Sequence, residues 1–299
     1  MTCEIKINQY SVMNYELIYN NDKKDVTVPK NGFTEDLLKE ATIMTKIDIS
    51  RIRLYYNYNG KRIPLQAHQQ LNATPSQSFT VVDSGPQFSF MVNDLFEYIP
   101  PIFIWFGILS LFHSVLTEYI QISTVMWVLH YAKRSFEAVF VHTYSQKTLP
   151  IFSILDNSCF KNCIYYWCFA FMISISVCER ADYVSKYPLT QNAGISIWLF
   201  SELLNGYCHL RLRQLRPKGS LDHYLPTGFL FNSITAPNYT FEILSWLGFA
   251  LFTQTWISFV FPIVGGVQMF YWADEKRKKL GARYPQVLKR GRITPFTFL

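Results

Sequence analysis

Residues 241–272 read FEILSWLGFALFTQTWISFVFPIVGGVQMFYW, thirty-two residues with one charged side chain, Glu242. A helix needs roughly 20 apolar residues to cross a bilayer. This stretch is long enough for two spans, or for a broken pair punctuated by Pro262 and Gly265-Gly266. Further apolar runs lie toward the N-terminus at residues 195–210, 163–178, 119–141 and 99–115, the last with Pro100-Pro101 at its start. Together they predict a multi-pass α-helical membrane domain of about six to seven helices.

The 299 residues are 49% hydrophobic and only 16% charged, against roughly 25% charged in an ordinary soluble domain. The average conceals a division, because residues 1–97 are polar and the apolar runs begin at Ile99. Gly85-Pro86-Gln87 reads as the boundary, giving a soluble domain over 1–86 and a transmembrane domain over 87–299. In the first, residues 4–7 alternate like a strand, 15–19 read as its hairpin partner, and 26–28 extend that hairpin. Residues 34–41 read as a helix with Thr34 as N-cap and acids in the first turn. Residues 52–56 and 78–83 read as strands, with Asn59-Gly60 as a turn between them. The order predicts a ubiquitin-like α+β (β-grasp) domain. The opening MTCEIKINQY lacks the basic-then-apolar pattern of a cleaved leader, so the first apolar run is expected to do the targeting and the N-terminal domain to stay cytosolic.

The formal charge is +7. Its excess is gathered in Lys276-Arg277-Lys278-Lys279 and the arginines and lysines that follow, and in Arg211, Arg213, Arg216 and Lys218. These clusters abut apolar segments, which marks the cytosolic side of a membrane or a cleft for phosphorylated ligands and argues against nucleic acid. The six cysteines form no CxxC pair and have no histidine at zinc spacing, so no metal is expected.

Polar side chains inside the apolar runs are costly and tend to face a cavity. Glu202, Asn205, His209, Arg213 and Arg216 are spaced 3, 4, 4 and 3 apart. At about 100° per residue they fall within a sector of roughly 80°. Such a stripe suits phosphates and a carboxamide, since arginine matches phosphate bidentately; it equally suits a helix end emerging into water. Asn238, Tyr239 and Glu242 form a second group, in which a desolvated phenol can donate a proton, or an aromatic belt can place an interfacial tyrosine. His130, Lys133, Arg134 and Glu137 form a third, readable as one more site or as a basic juxtamembrane segment with a Lys133–Glu137 pair. No Gly-x-Gly-x-x-Gly, Gly-x-Ser-x-Gly or His-Glu-x-x-His is present, so a nucleotide would have to be held by the membrane helices.

The segments His130-Tyr131-Ala132-Lys133-Arg134 with Glu137 and His142, Lys161-Asn162-Cys163-Ile164-Tyr165-Tyr166-Trp167, Leu212 to Ser220, and Pro237-Asn238-Tyr239-Thr240-Phe241-Glu242 resemble those of the trans-2-enoyl-CoA reductases. The C-terminal half also resembles the steroid 5α-reductases. The resemblance covers nearly the whole chain. It implies a multi-pass endoplasmic-reticulum enzyme with a cytosolic basic tail. That enzyme reduces the 2,3 double bond of a long-chain trans-2-enoyl-CoA with NADPH, as the last step of each fatty acid elongation cycle beside the other elongation enzymes. It implies Asn205, His209, Arg213, Arg216, Asn238 and Glu242 at NADPH, Tyr239 as proton donor with Lys133, and His130 and Glu137 at the substrate. The family's His and Tyr after the last span have no counterpart in Ala273 to Lys279. The competing expectations are a 3-oxo-5α-steroid 4-dehydrogenase or polyprenol reductase, and a non-catalytic scaffold with a ubiquitin-like domain.

Overall fold

The computed structural model describes residues 12–65, 69–112, 116–144, 148–151, 158–182, 187–215 and 224–295. It divides into two compact units. The first comprises the described residues up to Ser89 together with 148–151. Strands β1 (Val12–Tyr19) and β2 (Asp22–Pro29) form an antiparallel hairpin. Its turn residues Asn20 and Asn21 have φ of 49° and 72°, the left-handed pair that a two-residue turn of the strand's own twist requires and that asparagine tolerates. The strand that contains 15–19 therefore pairs directly with the strand that contains 26–28, with Tyr15 opposite Val26. The strand expected over 4–7 lies outside the described residues.

Helix α1 (Thr34–Thr45) is capped one residue earlier than expected and runs four residues further. Phe33 is the N-cap, its N–H donating to the Asp36 carboxylate at 2.9 Å, while the Thr34 hydroxyl turns away to the Gln69 carbonyl at 3.3 Å. Strands β3 (Ile52–Tyr58) and β4 (Lys61–Pro64) flank the Asn59-Gly60 turn, and β5 (Ser78–Asp83) closes the sheet. The sheet order is β2-β1-β5-β3-β4, with β1 and β5 parallel at its centre. Leu17, Val28, Leu37, Ala41, Ile52, Leu71 and Phe79 fill the core between sheet and α1. A short ladder pairs β6 (Gln87–Ser89) with β7 (Thr148–Pro150).

The second unit is helical: α2 (Phe90–Leu111), α3 (Glu118–Phe140), α4 (Ser158–Cys178), α5 (Pro188–Gln214), α6 (Pro237–Thr253) and α7 (Trp256–Arg283). Among the described residues, three helices (α2, α4 and α7) are long and apolar enough to cross a membrane, and the protein is a membrane protein. Their outer faces carry large apolar side chains such as Phe103 (72% exposed) and Trp256 (72%), as a lipid-facing surface requires. Inside, Trp105, Trp127, Tyr131, Trp246 and Phe249 pack ring on ring, with Trp105 and Trp127 stacked at 4.9 Å.

Prolines sit inside two of these helices. Pro100 and Pro101 lie in the middle of α2, which begins nine residues before Ile99. Pro100 has no N–H for the carbonyl of Phe96, and the Trp167 indole of α4 donates to that carbonyl at 2.9 Å. Pro262 does not break the last apolar stretch. The break falls at Gln254, whose φ of 53° ends α6, and α7 runs through Pro262 and both glycines. Helices α5 and α6 touch backbone to backbone. A Cβ on Gly194 would lie 2.7 Å from the Gly248 carbonyl, and one on Gly248 would lie 2.6 Å from the Trp198 nitrogen.

Candidate active site

Helix α3 places His130, Lys133, Arg134 and Glu137 along an inward face. The spacing makes them neighbours over two turns, and α5 and α6 bring the counter-charges. His130 lies between two carboxylates, its Nδ1 2.6 Å from Glu202 and its Nε2 3.3 Å from Glu242. The Lys133 ammonium is held by Glu202 Oε2 at 2.6 Å, Asn205 Oδ1 at 2.7 Å and the Glu202 carbonyl at 3.2 Å. Its pair with Glu137, expected from spacing, stretches to 3.9 Å. Arg134 takes Glu137 instead, at 2.6 Å, and also donates to the Tyr98 hydroxyl at 2.9 Å and to His209 Nε2 at 3.2 Å. Three carboxylates thus meet two permanent cations and an imidazole in the interior, an arrangement a buried charge needs to persist.

Asn205 ties α5 to α6. Its amide donates to the Asn238 carbonyl at 2.9 Å and to Glu242 at 3.2 Å. The Trp246 indole donates to the same carboxylate at 3.3 Å. On the far side of Arg134, His209 Nδ1 meets His142 Nε2 at 3.2 Å, and His142 Nδ1 lies 3.5 Å from Asp94. Glu137, His142 and His209 bring ligand atoms within 4.8 Å of one another. The Arg134 guanidinium, bonded to two of the three, already supplies the positive charge a metal ion would bring there.

A cavity of about 700 Å³ opens beside this network. Asn205, His209, Asn238, Tyr239 and Glu242 line it together with Arg134. Ile263, Val264, Val267 and Met269 of α7 and Tyr165 and Tyr166 of α4 line it as well. Asn93, Asp94 and Glu97 also line it and were not singled out from the sequence, as do Lys161 and Asn162, which belong to a segment that carries the resemblance but were given no role. Asn162 donates to Glu97 at 2.9 Å. The spacing argument failed for these because they come from α2 and the start of α4, whose polar residues look like helix ends.

His130, Lys133 and Glu137 stand behind the wall, in the charge network. Arg213 is exposed and donates to the Phe140 carbonyl, so the stripe on α5 passes from buried Glu202 and Asn205 to the surface. Arg216 lies outside the described residues. At the cavity's edge the Tyr239 hydroxyl accepts from Lys276 at 2.7 Å. The C-terminal segment holds the start of α6. Thr235 and Ala236 donate to the carbonyls of Gly291 and Arg292 at 2.9 and 3.1 Å, and Thr240 donates to that of Ile293. Arg292 is anchored to Asp274 at 2.6 Å.

Residues 147–298 match the model of the 3-oxo-5-alpha-steroid 4-dehydrogenase family. Over nearly its full length the chain is similar to the very-long-chain enoyl-CoA reductase of Dictyostelium discoideum, with 32% identity covering 93% of this chain and 98% of that protein. A protein of Schizosaccharomyces pombe named as an enoyl reductase is 31% identical, covering 90% and 92%. One of Trypanosoma brucei brucei named as an enoyl-CoA reductase is 30% identical, covering 95% and 99%.

Proposed function

This chain belongs to the 3-oxo-5-alpha-steroid 4-dehydrogenase family and is similar to very-long-chain enoyl-CoA reductases throughout, and from that premise we propose that it reduces the 2,3 double bond of long-chain trans-2-enoyl-CoA with NADPH. The observation that carries the reading is the cavity itself, whose lining gathers a phenol, amides, an imidazole and a carboxylate beside apolar side chains of α7. Its volume is that of a small-molecule site.

The lining fits a nicotinamide. Asn238 offers an amide to a carboxamide, with Asn205 fixing its backbone, and Arg134 keeps a buried Nε–H without a hydrogen-bond partner among the described residues. The exposed Lys161 lies on the same lining and can take phosphate. Arg213 and Arg216 would extend the phosphate grip at the cytosolic end of α5. When bound, NADPH supplies a hydride to C3 of the enoyl thioester. The chain does the rest. Arg134 and the amides meet the negative charge that gathers on the thioester oxygen. Tyr239 gives its hydroxyl proton to C2. The α7 wall excludes water and receives the acyl chain, which the surrounding lipid can deliver laterally. Glu202, His130, Lys133 and Glu137 act from behind, fixing Asn205, Arg134 and Glu242.

The parallel β1–β5 pair with α1 packed across the sheet supports a ubiquitin-like domain over 1–86, with the remainder, 87–299, as the catalytic membrane domain in which α2 to α7 all span. The retained basic clusters support a cytosolic N-terminal domain and tail in the endoplasmic-reticulum membrane, placing the enzyme at the last step of fatty acid elongation beside its sister enzymes.

The test is NADPH oxidation by the detergent-purified chain with a long-chain trans-2-enoyl-CoA, run beside a 3-oxo-Δ4 steroid. Turnover of the enoyl-CoA alone is expected. Turnover of the steroid alone moves the chain to the other branch of its family, and turnover of neither with no NADPH binding makes it a scaffold.

A further inference from the structure

Near its C-terminal end α7 carries four consecutive cations, Lys276 to Lys279, one turn before its last residue Arg283. Three of them have acidic partners. Asp274 takes Lys278 at 2.7 Å and lies 3.8 Å from Arg277, and Glu275 lies 4.0 Å from Lys279. Lys276 has no carboxylate within ion-pair distance among the described residues. Its ammonium is turned onto Tyr239, 2.7 Å from the hydroxyl and 4.3 Å from the ring centroid. Tyr239 lines the cavity and Lys276 is exposed beside it.

Lys133, the lysine the family resemblance points to, is poorly placed to assist that phenol. An ammonium has three N–H groups, and three acceptors already lie within 3.2 Å of this one.

We propose that Lys276 is the positioning residue for Tyr239, holding the phenol's oxygen so that its hydrogen faces the cavity and neutralising the phenolate left by proton transfer. The inference rests on the reductase reading above. Lys276 donates to one lone pair of the hydroxyl oxygen, which leaves the hydroxyl's own hydrogen for the substrate. Once C3 carries the hydride, the enolate's C2 forms a bond to that hydrogen and the O–H bond breaks with its electron pair left on oxygen. The phenolate then stands against a cation instead of an apolar wall. A solvent proton reaches it at the exposed lysine, and the net change is one hydride from NADPH and one proton from water.

The test compares the full chain with Lys276→Met, Lys276→Arg, Tyr239→Phe and the Tyr239→Phe/Lys276→Met double variant, all purified in detergent. The readouts are kcat and KM for a long-chain trans-2-enoyl-CoA and equilibrium NADPH binding followed by its fluorescence. Lys276→Met is expected to lower kcat about 10- to 100-fold, at or below the low end of what proton transfer itself contributes because the phenol is still present, with KM and NADPH affinity within about twofold of the unsubstituted chain, as expected for an interaction made only in the transition state. Lys276→Arg recovers most of the loss. In the Tyr239→Phe background the lysine substitution costs nothing further, because the pair acts as a unit. A loss confined to KM or to NADPH affinity overturns the proposal and makes Lys276 a phosphate grip. Unchanged kcat, or losses that multiply in the double variant, also overturn it. If the unsubstituted chain turns over no enoyl-CoA, the reductase reading fails and takes this proposal with it.

Discussion

The contact between Gly194 and Gly248 allows a quantitative test of how α5 and α6 are held. Gly194→Ala adds a Cβ 2.7 Å from both the Gly248 carbonyl oxygen and the Phe252 nitrogen, where ordinary contact begins near 3.4 Å. The atoms in the way are backbone, so no rotamer relieves the clash and the helices must part by about 0.7 Å. Overpacking of this kind costs about 1–3 kcal/mol, and at roughly 2–4 °C per kcal/mol in a chain of this size the melting temperature falls by about 5 °C. Gly248→Ala meets the Trp198 nitrogen at 2.6 Å and should cost at least as much. Gly107 is the internal control, because a Cβ there meets nothing within 4 Å, and Gly107→Ala should gain about 0.5–1 kcal/mol from helix propensity alone. Tryptophan-fluorescence melts in one detergent measure all three. If Gly194→Ala melts with the unsubstituted chain, or Gly107→Ala loses as much as Gly194→Ala, close approach is not what the glycines provide.

Tyr239→Phe should lower kcat by about 10²–10⁴ while NADPH still binds, measured by single-turnover oxidation and by fluorescence titration. Glu202→Gln removes the charge that holds Lys133 and faces His130, and should cost about 3–5 kcal/mol in the same melts, with part recovered by adding Lys133→Met. In the N-terminal unit, the hydrogen bond from Arg51 (3.0 Å and 2.5 Å) holds Asp83 below the usual carboxylate range. A depressed carboxylate stabilises the fold above its unfolded pKa of about 3.9 and loses that contribution as pH falls through the lower folded value. Hydrogen exchange of the β3 and β5 peptides, corrected for intrinsic rate, should therefore speed up below about pH 4. Asp83→Asn should already be faster at pH 7 and lack that acid dependence.

The strands β3 and β5 were readable because β-branched and aromatic residues alternate there and Asn59-Gly60 marks the turn between β3 and β4. The first hairpin was paired wrongly because Asn20-Asn21 is a weaker turn signal than Asn-Gly and the run at 4–7 competed for the same partner. The apolar stretches announced the helices, yet the prolines of α2 read as a helix start. Their repair by Trp167 comes from 71 residues away, a distance over which periodicity says nothing. At the site, helical spacing put Glu202, Asn205 and His209 on one face correctly. It left the charges of α3 looking like an emergent basic segment, because nothing local says that Glu202 and Glu242 will come to meet them. The approach of Lys276 to Tyr239 was hidden in the same way, since the lysine sits in a run that reads as a solvated tail.

The charge network on α3 also constrains how the protein is made. Entering lipid alone, this helix would expose His130, Lys133, Arg134 and Glu137, and each permanent charge near the middle of a span costs about 2.5–3.5 kcal/mol on insertion scales. Its counter-charges arrive on α5 and α6, translated some seventy and over one hundred residues later. As one of the spans proposed above, α3 would therefore have to wait to enter lipid until Glu202 and then Glu242 emerge. Substitutions at those two glutamates should therefore lower the yield of integrated protein in cells, beyond the stability lost by the fraction that can be purified.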